Sequence, residues 1–484
     1  MRGKEDLFQL IQSMSKSEKR YFVLDAKKSG RTASRYLTLF EALNEMEELD
    51  EEALRAIFPK NLPSDKAYLY EAILRSMRDY RSKNSKAAQV KERLMDARYL
   101  HERGLYEQSN NRVMEAKSLS KELEDSFGLL EILREEQLSL YDRRVRVDNE
   151  QINKLREEKE AALQHINEEL KYIDLYFLLL VEVYKGAAPG NQALDDLRKH
   201  IPIAWLDGDN LPRSPRAQRR FFLCNALYGR LSGNTESQYQ YYKKAVEWWG
   251  EYPAIKTEEF HRYVSDVGNF VNSCYSTEAL LPEAQRWIDR LKTEEYPDNY
   301  HDQRFIFLTL SITNLLHLLN RREFVRAHKL MPEFIEGMNR FGLKKSIFFL
   351  ANIVVTYFLA EDYRNCVKWT EQITKNLKTG TREDIQRLVR LFELIARYEL
   401  GEIDELDSAM RATSRYFKKS GLAEDRFEQI VLNQHLKRIF NAPVGEMKGA
   451  CSAFLAYLDE VDESMKQEKP IGLDELKIWA GKYA

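Results

Sequence analysis

Gln303–Ile335 reads QRFIFLTLSITNLLHLLNRREFVRAHKLMPEFI, and Ser346–Ile373 reads SIFFLANIVVTYFLAEDYRNCVKWTEQI. Each stretch is an apolar helix with one internal asparagine (Asn314, Asn352), then a short polar turn, then an aromatic residue (Phe324, Tyr363) followed three positions later by a small one (Ala327, Cys366). One helical hairpin is written twice. The pattern extends backwards through Arg216–Trp249 and Glu258–Leu291, and forwards through Thr381–Tyr416 and Glu424–Leu458. The turn residues Phe324, Tyr363 and Ile403 are spaced by 39 and 40.

A chain of 484 residues is longer than one ordinary core can use, so several domains or a stack of repeats is expected. Gly and Pro are scarce (20 and 12), as in long helices rather than strands and tight turns. With 75 Lys plus Arg against 77 Asp plus Glu, the net charge of -2 gives no reason for a mainly electrostatic attraction to nucleic acid or anionic lipid. Cys224, Cys274, Cys366 and Cys451 stand far apart without C-x-x-C spacing, which reads as small core residues in a reducing compartment. The opening MRGKEDLFQLIQ has no apolar signal segment, so a cytoplasmic protein is expected. The longest apolar runs, 305–319 and 347–360, fall short of the about 18 residues of a membrane span.

Residues 1–84 read as an N-terminal helical domain, with a capping box at Ser15 and Glu18 and a stripe of Leu69, Ile73 and Met77. Over residues 1–90, 17 basic minus 14 acidic residues give +3, too weak a balance for a nucleic-acid signature. Residues 85–460 read as paired helices, with a polar helix at 149–164 leading into an apolar one at 173–184 and an irregular part at 185–215. A last helix, 473–480 within a C-terminal segment 461–484, is expected to cap the array.

The segment MDARYLHERGLYEQSNNRVMEAKSL, with Ala97, Gly104, Tyr106 and Ala116 at the crossing positions, resembles a tetratricopeptide repeat. The resemblance covers residues 86–460 with most repeats lacking part of the small-residue set, as at Leu406. The period also exceeds the about 34 residues of a standard repeat and approaches that of HEAT-type pairs. SMSKSEKRYF with LYEAILRSMRDY is similar to a bacterial family of such proteins. What the resemblance implies is an all-α, right-handed α-solenoid whose first helices line a concave groove, used for binding rather than catalysis.

Two sets of residues are candidates for that groove. Asn225, Asn269, Asn314, Asn352 and Asn433 recur inside successive first helices at separations of 44, 45, 38 and 81. An amide can donate to a peptide C=O and accept from its N–H, so the series resembles the backbone clamps of tetratricopeptide grooves. It is equally what helices use to fix their register. Arg213, Arg216, Arg219 and Arg220 gather around the start of a helix capped by Ser214 and Pro215, where the dipole disfavours cations. A groove for an acidic or phosphorylated segment would explain them, and so would a solvated face. Tyr239, Tyr241, Tyr242, Trp248, Trp249 and Tyr252 read as core between repeats.

No phosphate-binding loop, dinucleotide fingerprint, H-E-x-x-H or G-x-S-x-G occurs, and His165 with Glu168 or Glu169 lacks a second histidine for a metal. No enzyme activity, cofactor or metal site is expected. The leading expectation is a scaffold or adaptor for a protein or extended peptide segment, with an acidic segment favoured by the arginines, no membrane partner, and room for a homo-oligomer. One alternative is a peptide-sensing regulator whose N-terminal domain is an effector arm. Another is a nucleic-acid-associated protein using Lys16, Lys19, Arg20, Lys27 and Lys28.

Overall fold

This computed structural model describes residues 5–28, 35–142, 148–185, 199, 203–206, 211–343, 346–376, 382–420, 422–443, 445–464 and 470–484. Among the described residues the fold is all-helical, without a strand. Most of the irregular part expected at 185–215 lies outside them, apart from a 3-10 turn at Ile203–Leu206 and the residues from 211 onward. No helix among them is long and apolar enough to cross a membrane.

The first five helices are α1 (Asp6–Ser13), α2 (Lys16–Lys28), α3 (Arg35–Glu45), α4 (Glu51–Ile57) and α5 (Leu62–Asn84). The Ser15 N–H donates to Glu18 Oε2 at 2.8 Å while the Glu18 N–H donates to Ser15 Oγ at 3.2 Å, which is the expected capping box. Leu7, Ile11, Phe22, Phe40, Leu54, Leu69 and Ile73 form a hydrophobic cluster that includes no residue beyond Met77.

From there the chain runs in pairs: α6 (Lys86–Glu102) with α7 (Tyr106–Glu122), α8 (Ser126–Asp142) with α9 (Asn149–Lys185), and α10 (Pro215–Leu231) with α11 (Thr235–Glu251). A short α12 (Pro253–Glu258) precedes α13 (Phe260–Ser273) and α14 (Leu281–Thr293), then come α15 (Tyr300–Asn320), α16 (Phe324–Lys329) and α17 (Met331–Arg340). The series continues as α18 (Ile347–Leu359), α19 (Tyr363–Asn376), α20 (Glu383–Leu400) and α21 (Ile403–Lys419). Next is α22, which passes from Phe427–Ile430 through a π turn, Val431–Leu436, to Lys437–Phe440, followed by α23 (Met447–Ser464) and α24 (Leu473–Ala480). From α5 to α17 each helix packs on the next, as do α18 to α21 and α22 to α24, and α13, α15, α18, α20 and α22 also touch in succession. The two quoted copies superimpose in role, since Phe324 and Tyr363 open second helices while Ala327 and Cys366 are completely buried beneath them. Leu406 is buried where a small residue is expected, and all four cysteines are free and buried.

Two elements differ from the sequence pattern. Residues 149–185 form one continuous helix, because the polar and apolar halves are joined without Gly or Pro. The second helix of the first quoted copy breaks after Lys329, where Pro332 cannot supply the N–H of a continuing helix and instead occupies the first turn of α17.

Five of the hairpins share one closing turn. Gly104, Gly233, Arg322, Glu361 and Gly401 all take positive φ (73°, 72°, 58°, 63° and 71°), each two residues before a second helix begins. The next N–H then reaches back five residues, as in Glu323 N–H to Leu318 O and Asp362 N–H to Tyr357 O, both at 2.9 Å. These bonds satisfy carbonyls that the helix end leaves unpaired.

Polar contacts join distant stretches of chain. Ser17 Oγ donates to Asp298 Oδ2 at 2.7 Å, and Ser85 Oγ donates to Glu258 Oε2 at 2.8 Å. At the other end α24 packs on α23 and also reaches back to α18. Trp479, 1% exposed, donates through Nε1 to Glu399 Oε1 at 2.6 Å, so the last helix is bound into the array over a wider front than its terminus.

The left-handed turn at Arg322 is strained for a residue with a Cβ, and the side chain is exposed. Arg322→Gly is expected to raise stability by up to about 1 kcal/mol in urea denaturation, and an unchanged or lowered midpoint would count against the shared-turn account.

Candidate functional site

The N-terminus of α10 is built by its neighbour α9. Ser214 caps it, with Oγ accepting from the Ala217 N–H at 3.3 Å. The same hydroxyl donates to Glu169 Oε1 at 3.2 Å, and the Ser214 N–H donates to Glu168 Oε2 at 2.8 Å. The carboxylates next to His165 therefore hold a helix start.

Arg216, Arg219 and Arg220 leave the first turns of α10 and meet Glu169 and Ile173 of α9, Trp248 and Trp249 of α11, Ile255 of α12, and Glu259 and Arg262 at the start of α13, around a cavity of about 130 Å³. Arg213 does not join them, being exposed with Nη1 3.4 Å from Gln164 Oε1. A wider hollow along one flank of α9 is walled by that helix alone and brings no groups together.

The three arginines have separate duties. Arg216 Nε donates to Leu123 O at 3.1 Å and Glu124 O at 3.0 Å, and Nη2 to Leu123 O at 2.8 Å, so a cation answers the orphan carbonyls at the end of α7. Its Nη1 pairs with Glu259. Arg219 is buried with Asp266, its Nε donating to Oδ2 at 2.7 Å, and the Trp249 indole donates to the same oxygen at 2.8 Å. The Arg219 guanidinium lies 4.6 Å from the Trp249 ring centroid. These partners explain why cations are tolerated at this end of a helix.

Arg220 is different. It makes no hydrogen bond or ion pair with any described residue, and sits 5.6 Å from the centroid of the Tyr176 ring. Burial, with Arg219 and Arg262 alongside, pushes its guanidinium below the ordinary value, although such a group stays charged. Burial also pushes the Glu169 carboxyl up, with Arg216 and Ser214 acting the other way. At Glu259 burial is outweighed by Arg216 and Arg262, which hold its carboxyl below the usual range. Arg262 Nη1 lies 2.9 Å from Glu259 Oε2 with its side chain 43% exposed, placing it between the cavity and solvent.

The asparagines do not converge. Asn225 is buried and Asn352 half-buried, and each donates to the carbonyl four residues back in its own helix, Phe221 O at 3.0 Å and Phe348 O at 2.8 Å. Asn433 is exposed on the π turn, bonded to Gln429 and Lys437. Asn269 and Asn314 are half-buried and make no hydrogen bond with any described residue. Of the aromatic group, Tyr239, Tyr242, Trp248 and Trp249 are buried in the core as expected, while the Trp248 indole N–H has no acceptor among the described residues.

Arg262, Asp266 and Glu169 were not among the sequence candidates. Asp266 stands between Val264 and Val267 on an apolar face of α13, and a lone carboxylate there is the signal that a buried cation must meet it.

Arg219→Gln, which strands the Asp266 carboxylate, is expected to cost about 3–5 kcal/mol in urea denaturation, whereas Arg220→Gln, which removes an unpaired guanidinium, should match wild type or exceed it by up to about 1 kcal/mol. Equal losses would contradict the division of roles. A raised carboxyl value in the fold contributes stability that is present below the unfolded value and is lost as pH rises through the folded one. Glu169→Gln should therefore gain on wild type between about pH 4.5 and neutrality, and a pH-independent difference would show that burial does not disfavour the charge. Comparison of the chain with protein-family models, curated proteins and solved structures gives no match.

Proposed function

We propose that the chain is a non-catalytic binding scaffold: a right-handed α-solenoid of tetratricopeptide-like hairpins following an N-terminal helical domain, which holds an acidic protein or peptide segment in the cytoplasm. The observation that carries this reading is the cavity beside α10, where four guanidinium groups face Glu169, Glu259 and Asp266 and one of the four, Arg220, has no anionic partner among the described residues. A fold does not leave a cation half-buried and unpaired without cost, so an acidic group from a partner is the natural complement. The recurring turn and the succession of contacts among first helices support the repeat architecture. Asn269 and Asn314, whose amides are not engaged, are the members of the asparagine series best suited to clamp a peptide backbone.

The regulatory alternative is favoured by a separate observation. Ser17 of the N-terminal helices donates to Asp298, and Glu258 receives Ser85 Oγ and the Lys86 N–H where those helices pass into α6, contacts that a bound partner can exchange for its own.

Affinity capture with the full chain tests the scaffold reading. Wild type, Asn269→Ala/Asn314→Ala and Arg220→Gln/Arg262→Gln are compared after circular dichroism shows each to be folded. Wild type should retain a protein whose bound segment, mapped with synthetic peptides, is acidic, and the arginine variant should lose it. Retention of the same proteins by all three, or a segment without acidic residues, would refute the proposal.

A further inference from the structure

The donors around the cavity can be followed one by one. Arg216 is engaged by Leu123, Glu124 and Glu259, and Arg219 by Asp266. One guanidinium in the walls, that of Arg220 on α10, is left without an acceptor among the described residues. A donor held in such a site without an acceptor is unfavourable, so it points to an acceptor received there. Arg262, from α13, adds the N–H groups that Glu259 does not take.

These donors come from two helices and do not form one fork. A carboxylate is planar and pairs best with a single guanidinium edge. A phosphoryl group presents three acceptor oxygens in a pyramid and can meet donors on separate walls. The charges agree. Four guanidinium groups face the carboxylates of Glu259 and Asp266 and the Glu169 carboxyl, leaving one or two positive charges according to whether Glu169 is ionised. A phosphate monoester carries about 1.5 to 2 negative charges at neutral pH. A volume of about 130 Å³ has room for one such group.

We infer that this cavity binds the phosphoryl group of a phosphate monoester, received by Arg220 and Arg262 within a frame held rigid by Arg216 and Arg219. The inference rests on the reading of the cavity as the anchor of a binding scaffold and names the chemistry it selects. The monoester belongs either to a phosphorylated side chain of a bound segment or to a small phosphorylated metabolite.

Tryptophan fluorescence and calorimetric titration of the full chain separate these cases. The probes are inorganic phosphate, phenyl phosphate, phenylacetate, and a glutamate-rich peptide with and without one phosphoserine, each titrated into wild type, Arg220→Gln and Arg262→Gln. Phenyl phosphate should bind wild type, Arg220→Gln should weaken it about tenfold or more, and Arg262→Gln, which removes the donor nearer to solvent, should weaken it by about threefold to tenfold. Tighter binding of the phosphopeptide than of phenyl phosphate assigns the group to a segment, and equal binding assigns it to a small molecule. Binding of phenylacetate and the unphosphorylated peptide without preference for phosphate overturns the inference and leaves the acidic-segment reading standing. If no probe binds, both fail. Phosphate binding that neither variant alters is adventitious and overturns the inference.

Discussion

A guanidinium that leaves water must be met by a carboxylate, and in this chain the pair Arg219 and Asp266 imposes that condition on three helices at once. Arg219 lies on α10 and Asp266 on α13, and the oxygen that receives the guanidinium also receives the indole of Trp249 on α11. None of the three can be satisfied unless α10, α11 and α13 are brought to one place. Arg216 extends the arrangement to the end of α7, where it takes the carbonyls of Leu123 and Glu124, and to Glu259 at the start of α13. Helices far apart in the chain are thereby fixed by polar groups that have no alternative partner.

That frame defines what is left over. Once Arg216 and Arg219 are engaged, the same wall retains Arg220 and the outer edge of Arg262, facing a space too small for a folded element and large enough for one anion. Rigidity matters here because donors fixed by packing need no reorganisation when a ligand arrives. The acidic groups in the same wall are graded by their surroundings, Glu259 kept charged by its arginines and Glu169 pushed toward its neutral form by burial. The cavity therefore keeps an excess of positive charge although carboxylates stand within it.

The rest of the molecule is organised on a simpler rule. A helix with one apolar face must cover it, and here each does so mainly with its neighbour in the chain, through a turn that repeats with the same left-handed residue and the same five-residue hydrogen bond. Glycine occupies that place at Gly104, Gly233 and Gly401, while Arg322 and Glu361 accept the strain. The hydrophobic core is accordingly divided into several clusters along the chain, and α24 contributes Leu473, Leu476 and Trp479 to the largest of them.

Local features were readable before any coordinates because they depend on residues within a few positions of one another. The capping box at Ser15, the cap at Ser214, the aromatic residues that open second helices and the small residues under them are all of this kind. So was the gathering of Arg216, Arg219 and Arg220 on the first turns of one helix, although Arg213, only three residues earlier, turned out to stand apart. The sequence by itself determined that the chain is helical, where the hairpins turn and which faces are apolar. Only the tertiary structure decided that Glu169, Trp248 and Arg262 share a wall with those arginines, that 149–185 runs unbroken, and that three of the five asparagines bond within their own helices. The physical reason is range: capping and periodicity act over one or two turns of helix, whereas the pairing of buried charges depends on how whole helices pack.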